Sequence, residues 1–216
     1  LAVAPRFALS CTGDHMRAAA QYARDRGLLI HTHASEQVTE VELVRERTGM
    51  YNVEYLHSIG LTGKDVCLAH CVHTQPEERR ILAETDTRVL HCPSANLKLG
   101  SGIAPIPEYL RSGMTVAIGA DGAPCNNRLD MFMEMREAAL LQKIRLGPHA
   151  LPARDIVRMA TEGGATALMW SDEIGTLEEG KRANLILVAQ DSVHVLPSED
   201  PAGNLVYAND ANDVVM

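Results

Sequence analysis

The stretches Val66-Cys-Leu-Ala-His70 and Arg88-Val-Leu-His91 are two short apolar runs that each end in a histidine. Runs of this length and character are typical of strands that are buried on both faces. A helical pattern over residues 76–85 separates them, and Pro76 suits its first turn. The order strand, helix, strand with short links predicts two parallel strands joined by a right-handed crossover.

The same arrangement recurs on both sides of this unit. Three further apolar runs end in polar residues: residues 1–5 lead into Arg6, residues 28–30 into His31-Thr-His33, and residues 115–120 into Asp121. Helical patterns lie between the runs, over residues 14–26, 36–48, 53–59 and 103–112, and a further one over residues 129–145 follows the last run. In a barrel of parallel strands the active site lies where the carboxyl ends of the strands meet. The sequence therefore predicts an α/β fold with polar, chemically competent residues around one rim.

An open doubly wound sheet would fit the same alternation of strands and helices. Its ligand site needs a reversal of strand order and usually a glycine-rich turn after the first strand. Neither GxGxxG nor GxxxxGK[ST] occurs in the sequence, so the barrel is favoured. The chain has 216 residues and opens on an apolar run without an initiator Met. A complete barrel needs about 250 residues, so we expect the C-terminal part of a longer protein.

The sequence changes character near Asp172. Residues 175–188 predict a turn followed by a strand, and residues 214–216 look like the start of another strand. We therefore expect two units, a partial barrel over residues 1–172 and a different, strand-containing segment over residues 173–216. The second unit is expected to be cut short at its end.

Composition excludes several classes of function. The net charge is −8 with acidic residues spread along the chain, and aromatic residues make up only 4%; both argue against nucleic acid as a partner. The apolar runs are too short for a transmembrane helix. The cysteines are odd in number, five, and none are spaced as CxxC. A reduced, cytoplasmic protein is the simplest interpretation.

Three predicted strand ends carry residues able to bind a metal ion. Alternate residues of a strand face the same side, so His31 and His33 share a side, with His33 at the rim. Neutral imidazole is a common ligand of Zn²⁺ or Fe²⁺. Glu36, just past the strand end, could move protons. His70 ends the next run, and Asp121 leads a loop of small residues from which a carboxylate can approach a metal ion.

Each of these residues also has a simpler explanation. The His-x-His could be a hydrogen-bonded pair, and Asp121 could cap the helix that follows it. The placement of two histidines and an aspartate at the ends of separate parallel strands is harder to explain by chance. It favours a metal-dependent hydrolase.

Four segments resemble the amidohydrolase superfamily, specifically its nucleobase and nucleoside deaminase branch. They are His33-Ala-Ser-Glu36, Ala69-His-Cys-Val-His73, residues 91–105 and residues 119–127 with the trailing Glu134-Met-Arg136. The resemblance covers nearly the whole chain. It implies strands four to eight of a TIM-like (β/α)8 barrel, followed over residues 175–188 by the start of a small β-sandwich. The segments look most like enzymes that deaminate S-adenosylhomocysteine, methylthioadenosine or 5′-deoxyadenosine, and triazine hydrolases share much of the pattern.

The resemblance also implies roles for individual residues. His33 matches a metal ligand, and Asp121 matches a second ligand that also serves as general base and contacts the substrate. Glu36 matches the acid that binds the substrate and protonates its ring nitrogen. His70 matches the histidine that polarises the attacking water. The implied cofactor is one divalent ion, Zn²⁺ or alternatively Fe²⁺, and the implied partner is a purine or nucleoside, in a protein that could be a homo-oligomer.

Two departures from the family leave alternatives open. Arg6 and Phe7 look like the guanine deaminase residues that contact the base, although Arg6 could instead pair with a carboxylate on the rim. The family's first His-x-His is absent from this chain, so the fragment alone is expected to be inactive. The parent is expected to deaminate an aminopurine or purine nucleoside of the adenosine type. Guanine deamination, s-triazine hydrolysis and an inactive scaffold are the alternatives.

Overall fold

Five parallel strands form a single sheet in the computed structural model, which describes residues 1–197 and 199–216. The strands lie in sequence order, each paired in parallel with the next. Their bounds are Ala2–Val3 (β1), Leu29–Ala34 (β2), Val66–His70 (β3), Arg88–His91 (β4) and Val116–Ile118 (β5). The predicted parallel α/β fold is thereby confirmed, and the strand order never reverses, as in a barrel wall.

Helices connect every pair of strands. Within the first four crossovers they are Gly13–Arg24 (α1), Val38–Thr48 (α2), Asn52–Ser58 (α3), Pro76–Glu84 (α4), Pro93–Lys98 (α5) and Ile106–Arg111 (α6). After β5 come Ala123–Asn126 (α7), Met131–Leu146 (α8), Ala153–Arg158 (α9), a π-helix Met159–Gly163, Gly164–Ala167 (α10), Pro201–Tyr207 (α11) and a 3-10 turn Ala211–Asp213. In the part of the chain that is described, no helix combines the length and apolar composition needed to cross a bilayer.

The two faces of the sheet are packed differently. On one face Ile30, Leu68 and Val89 join the main apolar core beneath the helices. The strand register places His31 beside Cys67, and Cys67 beside Arg88, so that these residues share the opposite face. Buried carboxylates fix the ends of the crossover helices.

Glu40 and Glu78 are two of these buried carboxylates. Glu40 accepts from the backbone N–H of Glu36 at 2.8 Å, and Glu78 from that of Val53 at 2.6 Å. Burial raises the pKa of both carboxyl groups. The first of these bonds matters for function because it holds the start of α2 just after the His-x-His strand.

Several predicted boundaries are wrong. The first strand has only two residues, because only Ala2 and Val3 pair with β2. The family-like segment 91–105 contains the helix α5, which begins at Pro93 and was not predicted. The loop of small residues that Asp121 leads contains the short helix α7.

The segment 173–216 contains little regular structure. The strand predicted within residues 175–188 is present only as an antiparallel bridge between Val188 and Val214. The backbone N–H of Val215 donates to the Leu187 carbonyl at 2.9 Å beside it. The domain boundary near Asp172 and the β-sandwich over residues 173–216 remain predictions.

The amino-terminal end of the sheet is lined differently from its carboxyl end. Trp170, 48% exposed, lines a cavity of about 330 Å³ together with Leu1, Ala2 and Leu29. Arg88 begins β4 and is buried, with Nε and one terminal nitrogen lacking partners among the described residues. These features lie at the opposite ends of the strands from His33 and His70.

The π-helix packs directly against the backbone of strand β5. A Cβ atom built at Gly163 would lie 2.3 Å from the Val116 carbonyl oxygen, closer than any side chain can approach. Only glycine therefore allows this helix to lie against β5, the strand that leads to Asp121.

We expect Gly163→Ala to lower the free energy of unfolding by about 1–3 kcal/mol, the usual cost of overpacking. Gly164→Ala is the matched control, because nothing lies within 4 Å of its added Cβ. That control should be neutral or stabilising by up to about 1 kcal/mol. Urea denaturation measures both values; equal stabilities for the two variants would contradict the close approach at Gly163.

Candidate metal centre

Three side chains from three strand ends converge at one point. His33 lies near the end of β2, His70 ends β3, and Asp121 follows β5. Their candidate ligand atoms all lie within 4.8 Å of one another. The rings of His33 and His70 stack with centroids 5.2 Å apart. The structure thus brings together three of the residues singled out in the sequence.

The carbonyl oxygen of Arg6 fixes the orientation of His33. It accepts from His33 Nδ1 at 2.7 Å, from the His33 backbone N–H at 3.0 Å and from Thr32 Oγ1 at 3.0 Å. A carbonyl can only accept, so the proton of the neutral ring lies on Nδ1. The lone pair of Nε2 is then available to a metal ion.

Asn96 orients His70 in the same way. Asn96 Oδ1 lies 2.8 Å from His70 Nδ1, and both side chains are buried. With the proton on Nδ1, the ring presents the lone pair of Nε2. That buried atom has no hydrogen-bond partner within the described chain. An orphaned buried imidazole nitrogen beside a second imidazole and a carboxylate fits a divalent metal ion, since these are the donors that Zn²⁺ and Fe²⁺ accept.

The backbone is strained where these residues leave the sheet. Positive φ angles occur at Ser35 (53°), His70 (72°), Cys71 (47°) and Asp121 (59°). Non-glycine residues adopt this left-handed conformation at a cost of about 1–3 kcal/mol each. Strain of this kind is retained where the surroundings require it, and here it turns the chain sharply at each strand end that carries a candidate ligand.

Glu36 and Asp121 supply the carboxylates. Glu36 Oε2 lies 3.8 Å from His70 Nε2, and Glu36 Oε1 accepts from Ser101 Oγ at 3.5 Å. Asp121 Oδ1 accepts from the Gly122 backbone N–H at 2.7 Å. Both groups are partly exposed, so a substrate or a water molecule can reach them.

Burial keeps the neighbouring histidines neutral. Burial, and secondarily the nearby His33 and His70, lower the pKa of His31. Burial lowers the pKa of His91 to about 3, with a further contribution from His70. A neutral surrounding suits a site that is to attract a cation.

Arg6 has a second, main-chain role that sequence patterns do not reveal. Its guanidinium is exposed and lies 5.1 Å from the centre of the Phe7 ring. The Arg6 guanidinium thus lies over the Phe7 ring, and the Arg6 carbonyl holds His33, while contact of either side chain with a substrate stays a prediction. Asn96 was also missed, although it lies within the family-like segment 91–105.

Comparison with known proteins identifies the relatives of this chain. The model of the Amidohydrolase family matches residues 1–216. A 5-methylthioadenosine/S-adenosylhomocysteine deaminase of Moorella thermoacetica is 46% identical over 211 residues, 97% of this chain and 49% of that protein. A 5′-deoxyadenosine deaminase of Methanothermobacter thermautotrophicus is 40% identical over 215 residues, 99% of this chain and 50% of that protein.

A solved structure matches closely as well. It is an adenosine deaminase from Xanthomonas campestris with bound zinc, with a TM-score of 0.95 and 33% identity. The match covers 98% of this chain and 48% of that one. The chain thus spans about half the length of the relatives that it matches.

We expect His33→Ala and Asp121→Asn each to weaken Co²⁺ binding at least tenfold, since even outer partners of metal ligands typically contribute about 10- to 100-fold. Competition with a chromophoric chelator measures the dissociation constants. Affinity should also fall as the pH is lowered, because binding displaces protons from the ligands. His57→Ala is the control, an exposed histidine bonded to Thr62 Oγ1 at 2.8 Å. Equal affinities in all these variants would contradict the assigned centre.

His91 predicts a specific acid sensitivity. Its folded pKa of about 3 lies below the unfolded value of about 6.5, so unfolding takes up a proton between these pH values and stability falls as the pH falls. In His91→Gln the free energy of unfolding should depend less steeply on pH, by up to about 1.4 kcal/mol per unit. Urea denaturation from pH 7 to 4.5 measures the slope, with exposed His149→Gln as control. Parallel curves for H91Q and the parent would refute the prediction.

Proposed function

Because the chain belongs to the amidohydrolase family, we propose that the complete encoded protein is a metal-dependent hydrolytic deaminase of purine nucleosides of the adenosine type. The observation that carries this proposal is the convergence of His33, His70 and Asp121, with Glu36 3.8 Å from His70 Nε2. The names of the two deaminase relatives support the substrate class.

His33 Nε2 and an Asp121 oxygen would hold the metal ion within this chain. The ion, when bound, acts as a Lewis acid that lowers the pKa of a water molecule. We propose zinc, because imidazole and carboxylate donors suit it and a structural relative contains it; Fe²⁺ accepts the same donors.

The protons are moved by the chain's own side chains. Asp121 accepts a proton from the attacking water, whose oxygen adds to the ring carbon that bears the amine. Glu36 gives a proton to the adjacent ring nitrogen, which takes up the electron pair of the broken ring double bond. His70 Nε2, whose lone pair faces the site, accepts a hydrogen bond from the attacking water and holds it in line. Asp121 then passes the proton to the amine while the Glu36 carboxylate takes the proton of the new hydroxyl, so that the oxygen forms a C=O bond, the C–N bond breaks and ammonia leaves.

Guanine deamination is a second candidate. It is favoured by Arg6 and Phe7, whose guanidinium carbon and ring centre lie 5.1 Å apart, since the Arg6 carbonyl places this segment next to His33. An exposed guanidinium can donate two parallel hydrogen bonds to an acceptor pair on a base. Adenosine derivatives remain the first choice because the relatives that bear their names are 40% and 46% identical to this chain.

Two further features of the complete protein are proposed. Residues 173–216 would begin a small β-sandwich beside the barrel of residues 1–172. The bridge between Val188 and Val214 supports this, since it is an antiparallel contact of the kind such a domain requires. All five cysteines are free thiols, which supports a reducing compartment such as the cytoplasm.

The test is ammonia release from methylthioadenosine, S-adenosylhomocysteine, 5′-deoxyadenosine, guanine and an s-triazine by the zinc-loaded complete protein. We expect turnover of the adenosine derivatives, and a fall in kcat of about 10²- to 10⁴-fold in Glu36→Gln, the usual contribution of a general acid. Glu42→Gln, an exposed carboxylate on α2, should match the parent. Turnover of guanine alone would replace the proposed substrate, and no ammonia from any compound would refute deamination.

A further inference from the structure

A buried carboxylate on α8 connects two of the loops that build the metal centre. Glu134 has no exposed surface. Its Oε2 accepts from the Ser94 backbone N–H at 3.1 Å, and its Oε1 accepts from Asn126 Nδ2 at 2.5 Å. The two partners belong to different elements, Ser94 to the first turn of α5 and Asn126 to α7.

The Asn126 branch leads to Asp121. Asn126 Nδ2 also donates to the Ala120 carbonyl at 2.8 Å, and Asn126 Oδ1 accepts from the Leu129 N–H at 2.9 Å. The amide group is therefore held from three sides. Because the Ala120 carbonyl belongs to the peptide group that precedes Asp121, fixing it limits the direction in which the Asp121 side chain leaves the strained backbone.

The Ser94 branch leads to His70. Ser94 N–H lies in the first turn of α5, where helix N–H groups have no partner within the helix. Two residues further along the same turn is Asn96, whose Oδ1 lies 2.8 Å from His70 Nδ1. Holding the start of α5 therefore also holds the group that sets the tautomer and orientation of the His70 ring.

Folding alone would not require a carboxylate here. Ala138, one turn further along α8 on the same side, is buried and apolar. Desolvating a carboxylate is unfavourable unless its partners compensate, and an apolar residue at such a place often serves stability as well. What the carboxylate provides is two acceptors at fixed positions, one for each loop.

We infer that Glu134 is a positioning residue of the metal centre. It fixes the orientation of the Asp121 side chain through Asn126 and that of the His70 ring through α5. The inference rests on the proposed function only in that the centre binds a divalent metal ion. Groups that directly contact metal ligands typically contribute about 10- to 100-fold to metal affinity; Glu134 acts one contact further out but supports two residues of the centre at once, so we expect an effect of the same order.

The experiment uses the complete encoded protein and the variant Glu134→Gln. Glutamine keeps one oxygen acceptor but turns an NH₂ group toward the other donor. We expect the dissociation constants of Zn²⁺ and Co²⁺ to rise by about 10- to 100-fold, with a changed visible spectrum of the Co²⁺ form. Urea denaturation of the metal-free protein is measured in parallel.

Glu137→Gln is the matched control. Glu137 lies one turn further along α8 and accepts from Ser94 Oγ at 2.6 Å, and in the described part of the chain it makes no hydrogen bond to Asn126 or to the candidate ligands. Glutamine at this position can still accept from Ser94 Oγ, so E137Q removes the same charge from α8 while it leaves the Ser94 and Asn126 branches in place. Its metal dissociation constants should stay within about twofold of the parent's, and its Co²⁺ spectrum should be unchanged.

Asn126→Ala and the double variant test the route of the effect. If Glu134 acts largely through Asn126, the double variant should lose little more affinity than the weaker-binding single variant, because coupled residues are not additive. Asn126→Ala also serves if Glu134→Gln does not fold.

The inference is overturned if E134Q loses stability but keeps the parent's metal affinity and Co²⁺ spectrum, or if the two losses of affinity add in full. Because these readouts need no turnover, they are independent of the ammonia assay. A protein that binds metal but deaminates nothing would refute the proposed function and leave this result standing.

Discussion

The parallel register of the strands is the constraint on which the candidate centre depends. Ala34 pairs with His70 and His33 with Ala69, so the ends of β2 and β3 are level. Strand alternation alone would turn His33 and His70 to opposite faces, and the left-handed backbone at His70 accompanies the turn of its ring to the stacking contact with His33. A slip of one residue would turn every side chain of a strand to the opposite face. The glycine contact between the π-helix and β5 has the same importance at the other side, because it fixes the strand from which the chain turns to Asp121.

Orientation within the centre comes from oxygen acceptors behind the rings. The Arg6 carbonyl and Asn96 Oδ1 each hold an Nδ1–H group, which leaves the two Nε2 atoms facing the same space. Electrostatics then follows from burial, since the apolar surroundings keep His31 and His91 uncharged. The carboxylates of Glu36 and Asp121 remain partly exposed to solvent. The strand ends thus surround the centre with buried, uncharged histidines and place its acidic groups on the solvent side.

The sequence predicted the features that depend on local pattern. Apolar runs ending in polar residues gave the strand β4 at its observed bounds and the convergence of His33, His70 and Asp121. The helix α5 was missed because proline, serine and asparagine are typical of loops, and helix formation there depends on tertiary contacts such as that of Glu134 with Ser94. The role of the Arg6 carbonyl could not be predicted, since every residue has a carbonyl and none identifies its donor.

The position of Trp170 determines which part of the structure the intrinsic fluorescence of this chain reports on. It is the only tryptophan, and its half-exposed ring lies beside Leu1 and Leu29 at the amino-terminal end of the sheet. The His33–His70 pair lies at the other end, roughly 15 Å away along a five-residue strand. Intrinsic fluorescence therefore monitors the floor of the sheet and not the metal centre. A change in Trp170 emission on adding a metal ion would therefore report a structural change at the amino-terminal end of the strands, remote from the candidate ligands.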